Sequence, residues 1–121
     1  EDSPSLVRTA KQLQELPVAG VDINFGCPAP VVCRKDAGGG LLRYPDRIDR
    51  ILGELRQVVQ TRFTVKCRIG YESPAEFDTL LAIYRKHALD GLADIGFLIE
   101  CGNDDRDLHH QCTIVSHASA N

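Results

Sequence analysis

The sequence predicts an α/β fold in which parallel strands are joined by crossover helices. Three observations predict it. Apolar residues recur with a helical period in three segments and with a period of two in the segments between them. Proline stands at the start of all three helical segments, at Pro4, Pro45 and Pro74, where its missing N–H is no loss. Glycine or proline ends each strand-like run. The order helix, strand, helix, strand, helix, strand implies parallel strands, because a connection through a helix returns the chain to the same end of the sheet. Either a doubly wound sheet or part of a (β/α)₈ barrel accommodates that order. A complete barrel takes about 250 residues, so a chain of 121 residues supplies roughly half of one.

The first helix opens at Ser3, a candidate cap, and places Leu6, Ala10, Leu13 and Leu16 on one face. Gly20-Val-Asp-Ile-Asn-Phe-Gly26 alternates apolar and polar residues and reads as a strand, stopped at Cys27-Pro28. Residues 28–44 read as a loop containing Pro28, Pro30 and the Gly38-Gly39-Gly40 run. A second helix follows Pro45, with Ile48, Ile51, Leu52, Leu55, Val58 and Val59 at helical spacing. Phe63 to Ile69 is the second strand, stopped by Gly70. Ser73-Pro74-Ala75-Glu76 combines a capping box with proline and starts a helix faced by Phe77, Leu80, Leu81 and Tyr84. A further apolar run covers Ile95 to Ile99. Beyond it periodicity fades into Asp, His, Ser and Asn, the pattern of a loop or of disorder.

Composition narrows the class. Hydrophobic residues at 43% and charged residues at 26% are those of a globular domain, and no apolar run is long enough to span a membrane. Five cysteines at irregular spacing do not make a disulfide framework, which points to a reducing, cytosolic setting. The net charge of −3 provides no overall basic footprint for nucleic acid, although an acidic chain can carry a local basic patch. The chain starts Glu-Asp-Ser-Pro and contains no methionine, which suggests an internal piece of a longer protein.

Three features carry candidate chemistry. Cys27 closes the first strand, and side chains at the C-terminal ends of parallel strands face the active site in such folds. A thiol there acts as nucleophile or proton donor, or else fills space as a small hydrophobe. Lys66 and Arg68 share one face of the second strand, opposite Val65, Cys67 and Ile69. Cations inside an apolar strand need an anion or polar ligand, unless the strand is an edge with its cations in water. Third, Asp36-Ala37-Gly38-Gly39-Gly40-Leu41-Leu42 lets backbone approach a ligand or another loop, or merely forms a flexible link. Cys101, His109, His110 and Cys112 have no zinc-like spacing, so no metal is expected. His87, next to Lys86, reads as a surface residue.

Together these motifs resemble the tRNA-dihydrouridine synthases. Gly20-Val-Asp-Ile-Asn-Phe-Gly-Cys-Pro28 is similar to that family's Asn-x-Gly-Cys-Pro strand, Gly38 to Leu42 to its Gly-Leu-Leu segment, and Thr64-Val-Lys-Cys-Arg-Ile-Gly70 to its Thr-Val-Lys-x-Arg strand. Asn-Phe-Gly-Cys-Pro-Ala-Pro is most similar to the bacterial branch that acts at tRNA position 16. The resemblance runs from about residue 3 to Leu92. It implies a partial TIM (β/α)₈ barrel over residues 1–92. It further implies an FMN enzyme, reduced by NADPH, that converts uridine to 5,6-dihydrouridine in tRNA. In that reading Cys27 is the catalytic acid, Lys66 contacts the flavin, and Asn24 and Arg68 contact the target nucleotide. A cytoplasmic enzyme, monomeric at full length, is expected.

The chain also departs from the family. After Asp90-Gly91-Leu92 a Thr-Val-His-Gly-Arg-Thr type strand is expected, yet the sequence continues Ala93-Asp94-Ile95-Gly96. Residues 93–121 therefore read as an atypical tail, frameshifted or disordered, and the strands that would hold the FMN phosphate have no counterpart. Two other readings are a flavin-barrel dihydropyrimidine oxidoreductase acting on free bases and an inactive truncated barrel fragment.

Overall fold

The computed structural model describes residues 3–89, 96–101 and 110–115, with side-chain surroundings described as far as residue 87. Helix α1 spans Ser3–Gln14 and leads into β1, Gly20–Phe25. Ser3 lies inside α1, and its hydroxyl donates to the Glu54 carboxylate, tying this helix to the next long one. Leu6, Val7 and Ala10 pack on the core, whereas Leu13 and Leu16 stay exposed. Leu16 lies past the end of the helix, where the 3.6-residue period no longer places it. Gln14 takes the inward position instead, donating to Val58 O at 2.7 Å and accepting from Gln60 N–H at 2.6 Å.

The segment expected as a loop folds locally. It holds a four-residue helix α2, Pro30–Cys33, and a 3₁₀ turn, Gly38–Arg43. Leu41 and Leu42 of that turn are buried in the main core. Helix α3, Pro45–Val58, buries Ile48, Ile51, Leu52 and Leu55 as their spacing predicts. Strand β2, Arg62–Cys67, buries Phe63, Val65 and Cys67 and turns Thr64 and Lys66 the other way. A 3₁₀ turn, Pro74–Glu76, precedes α4, Phe77–Leu89. Ser73 Oγ accepts from Ala75 N–H at 3.2 Å, which is half of the expected capping box.

Strand β3 covers Gly96–Cys101, close to the expected apolar run, and β4 covers His110–Val115. The composition of 93–121 predicts loop or disorder, but β4 pairs antiparallel with β3. A paired ladder satisfies backbone groups whatever side chains it carries. The rest of the tail lies outside the described residues.

The four strands stand in the order β1-β2-β3-β4, with β1-β2 and β2-β3 parallel. Each strand thus pairs with the next, and right-handed crossovers between neighbours put their helices on one face. α1 packs on α3 and α3 on α4 in a row over that face. The core fills the space between: Phe25, Phe63, Val65, Cys67, Leu80 and Tyr84 are all at most 2% exposed. Burying side chains of this size contributes roughly 1.5–3 kcal/mol each. Burial, with Cys67 beside it, pushes the Tyr84 hydroxyl far above its ordinary value, so it stays protonated. Because β2 is an interior strand, the edge-strand reading of Lys66 and Arg68 does not hold.

Candidate active site

Along β1 and β2 the face of the sheet turned away from the helices is polar. In the parallel register Asp22 stands opposite Thr64, and Asn24 opposite Lys66. Thr64 Oγ1 donates to Asp22 Oδ1 at 2.6 Å, joining the two strands below the Asn24–Lys66 level. At the C-terminal end of β1 the chain turns sharply, and Gly26 N–H donates to Asn24 Oδ1 at 2.8 Å. That oxygen keeps a second lone pair, so Asn24 can offer a ligand both an acceptor and its amide NH₂. Arg68 follows the end of β2 beside this turn; a Cβ placed on Gly26 would lie 3.9 Å from Arg68 Cγ.

Cys27 is a free thiol, partly exposed, held by the glycine run. Its carbonyl accepts from Gly39 N–H at 2.9 Å and from Cys33 Sγ at 3.5 Å. Gly38 has φ +52, and a Cβ there would lie 2.9 Å from both Cys27 Cβ and Val32 Cγ1. A Cβ on Gly40 would lie 2.6 Å from Cys33 O. These glycines therefore let one stretch of backbone lie flush against another, and the reading of a merely flexible link gives way. What the run approaches is the cysteine loop.

Beside these residues lies a cleft of about 480 Å³, bordered by Pro28, Arg34, Gly39, Arg43, Arg68 and Tyr71 among others. Three arginines in its wall give an acidic chain a local basic patch. Arg43 and Tyr71 escaped attention in the sequence, because a lone arginine after Leu-Leu and a tyrosine after Ile-Gly belong to no pattern. The sequence places Glu76 in a capping box, whereas its carboxylate accepts from Tyr71 N–H at 2.7 Å and Glu72 N–H at 3.3 Å.

His87 is also corrected. It is buried, 7% exposed, with Nε2 2.6 Å from Asp49 Oδ1, and Lys86 Nζ donates to both Asp49 oxygens at 3.0 Å. Adjacent positions on a helix point about 100° apart, so Lys86 being at the surface did not place His87 there. This cluster joins α3 to α4 on the helical side, away from the polar face. Among the described residues no group of three His, Cys, Asp or Glu is placed to hold a metal ion. The side chains of Cys101, His109, His110 and Cys112 lie outside the described residues. No described helix is long and apolar enough to cross a membrane.

Comparison with known proteins identifies a family. Residues 1–94 match the family model for dihydrouridine synthase. The tRNA-dihydrouridine(16) synthase of Shewanella oneidensis is 40% identical over 88 residues, covering 70% of this chain and 28% of the relative. The tRNA-dihydrouridine(16) synthase of Ralstonia nicotianae is 40% identical over 84 residues, 68% of this chain and 24% of its own. The tRNA-dihydrouridine synthase B of Klebsiella pneumoniae is 48% identical over 52 residues, 43% of this chain and 16% of its own. The chain thus spans about a quarter of the length of the first two of these curated relatives. With the family model covering most of the chain, and relatives of the bacterial branch alongside it, this protein belongs to the dihydrouridine synthase family.

Proposed function

We propose that this segment is the part of a TIM (β/α)₈ barrel that carries the catalytic acid of a tRNA-dihydrouridine synthase, an enzyme that reduces uridine to 5,6-dihydrouridine in tRNA. One observation carries the reading. Asn24, Cys27, Lys66 and Arg68 gather on the polar face and at the C-terminal ends of two adjacent parallel strands. Consecutive parallel pairing with α1, α3 and α4 in one row supports a barrel over a doubly wound sheet, which needs a reversal of strand order.

The donor set fits FMN. Lys66 stands on the polar face one residue before the C-terminal end of β2, half-buried, and is interior to the sheet. An ammonium there would hold an electron-rich ring and stabilise its reduced form. When bound, reduced FMN supplies the hydride that C6 of the uracil accepts, with NADPH as the ultimate reductant. Cys27 gives its thiol proton to C5, so the C5–C6 double bond is saturated by one hydride and one proton. The thiolate left behind regains a proton from solvent. Asn24, through its amide NH₂, and Arg68, through its guanidinium, hold the uracil carbonyl edge in place. The target must leave its stack to reach this face. Action at tRNA position 16 is supported by the names of the relatives, and a cytoplasmic enzyme, monomeric at full length, completes the proposal.

The test is a chimaera in which the matching part of this chain replaces the corresponding stretch of the Shewanella relative. Purified chimaera should form dihydrouridine in tRNA taken from a strain lacking the enzyme, read by mass spectrometry of nucleosides. A folded, flavin-loaded chimaera that leaves uridine unchanged would contradict the proposal.

A further inference from the structure

We infer that Tyr71, backed by Arg43, is a stacking platform for an unpaired RNA base next to the target uridine, with Arg34 at the adjoining phosphate. The inference rests on the reading of a tRNA-modifying site and names how that site holds RNA beyond the reacting base.

The platform is built from both loops at the C-terminal end of the sheet. Arg43 belongs to the segment after β1 and Tyr71 to the segment after β2. The Arg43 guanidinium carbon lies 4.7 Å from the Tyr71 ring centroid. Arg43 is fixed from behind: it donates to Cys33 O at 3.0 Å, to Gly40 O at 3.1 Å and to Asp36 Oδ1 at 2.7 Å. Tyr71 is fixed through its backbone by Glu76 at 2.7 Å. Both groups are therefore ordered before any ligand arrives, which lowers the entropy cost of binding.

Despite this anchoring Tyr71 remains 40% exposed and borders the 480 Å³ cleft. A tyrosine with a cation packed on it presents a polarised π-surface, the kind of partner on which an unstacked base rests. Arg34, exposed, and Arg68 border the same cleft, and the lining contains no carboxylate. Pro28 and Gly39 connect the cleft to Cys27 directly, one as its chain neighbour and the other as a hydrogen-bond donor to its carbonyl. Extracting a base from a stack leaves its neighbours with an uncovered face. An anchored aromatic next to the acid covers one.

The experiment measures fluorescence anisotropy of a labelled single-stranded oligoribonucleotide with one uridine, titrated with the 121-residue chain. A second oligonucleotide has an abasic residue beside the uridine. The abasic substitution should weaken binding to the unaltered chain by about 5- to 100-fold, the scale of one lost base–aromatic stack. Tyr71→Phe should preserve affinity, and Tyr71→Leu should bind both oligonucleotides equally weakly. Arg34→Gln should lower the salt-dependence slope by about 0.7 for both. Equal affinity of the unaltered chain for the two oligonucleotides would overturn the inference, and needs no variant to fold. So would Tyr71→Leu binding like the unaltered chain. If stacking is found but the chimaera does not reduce uridine, the enzymatic reading fails alone. If uridine is reduced without stacking, this inference fails alone.

Discussion

Asn24 accepts from the Gly26 N–H through its carbonyl oxygen and brings its amide to the polar face, while Lys66 across the register adds a cation. Both were legible in the sequence, because alternation along a strand fixes which side chains share a face. Lys66 is the residue expected to hold FMN. A charge-assisted hydrogen bond contributes roughly 1.5–3 kcal/mol, so Lys66→Ala in the chimaera should weaken flavin binding by about 10- to 100-fold. Flavin absorbance of the purified protein, before and after dialysis, measures this. Undiminished flavin content would remove Lys66 from the cofactor site. Tyr71 and Arg43 were not legible, because their importance depends on two loops meeting, and residues 28 positions apart carry no local signal of that.

Helices α3 and α4 show the same limit one level up. Their apolar faces followed from spacing, but the polar clasp between them did not. Hydrogen bonds from Lys86 and then His87 hold the Asp49 carboxyl below its ordinary value. A carboxyl whose pKa is depressed on folding stabilises above its unfolded pKa, and that contribution is lost as pH falls through the folded value. Stability should therefore decline below about pH 4, the ordinary carboxylate range, and Asp49→Asn should remove that part of the decline. Asp49→Ala should cost about 1–2 kcal/mol near neutral pH, chiefly by leaving the buried His87 ring without its partner. Urea unfolding across pH 3–7 checks both, and an unchanged midpoint in Asp49→Ala would show the clasp to be energetically silent. The 3₁₀ turn at Gly38–Arg43 was also hidden, since three glycines read as loop until Leu41 and Leu42 are seen to be buried.

At the scale of the molecule, helix–strand alternation was sufficient for parallel strands, and the family motifs for their likeness to a barrel. The antiparallel β4 was not foreseen, because its sequence lacks the alternation that marks a half-buried strand. β1 stands at one end of the described sheet, with a ladder edge open to pairing. The 121-residue chain should accordingly self-associate with rising concentration, as read by size-exclusion chromatography with light scattering. It should also hold little or no FMN, since the match covers only about a quarter of a full-length relative. A concentration-independent monomer, or a yellow protein with one flavin per chain, would contradict these expectations.

In the proposed reaction Cys27 donates the proton to uracil C5, a role that shows when the two half-reactions are assayed separately. In stopped-flow experiments on the chimaera, Cys27→Ala should leave flavin reduction by NADPH intact. It should slow flavin reoxidation by tRNA by about 10²–10⁴-fold, the usual contribution of a general acid. Equal losses in both half-reactions would make Cys27 a structural residue, and an unchanged tRNA step would contradict the account.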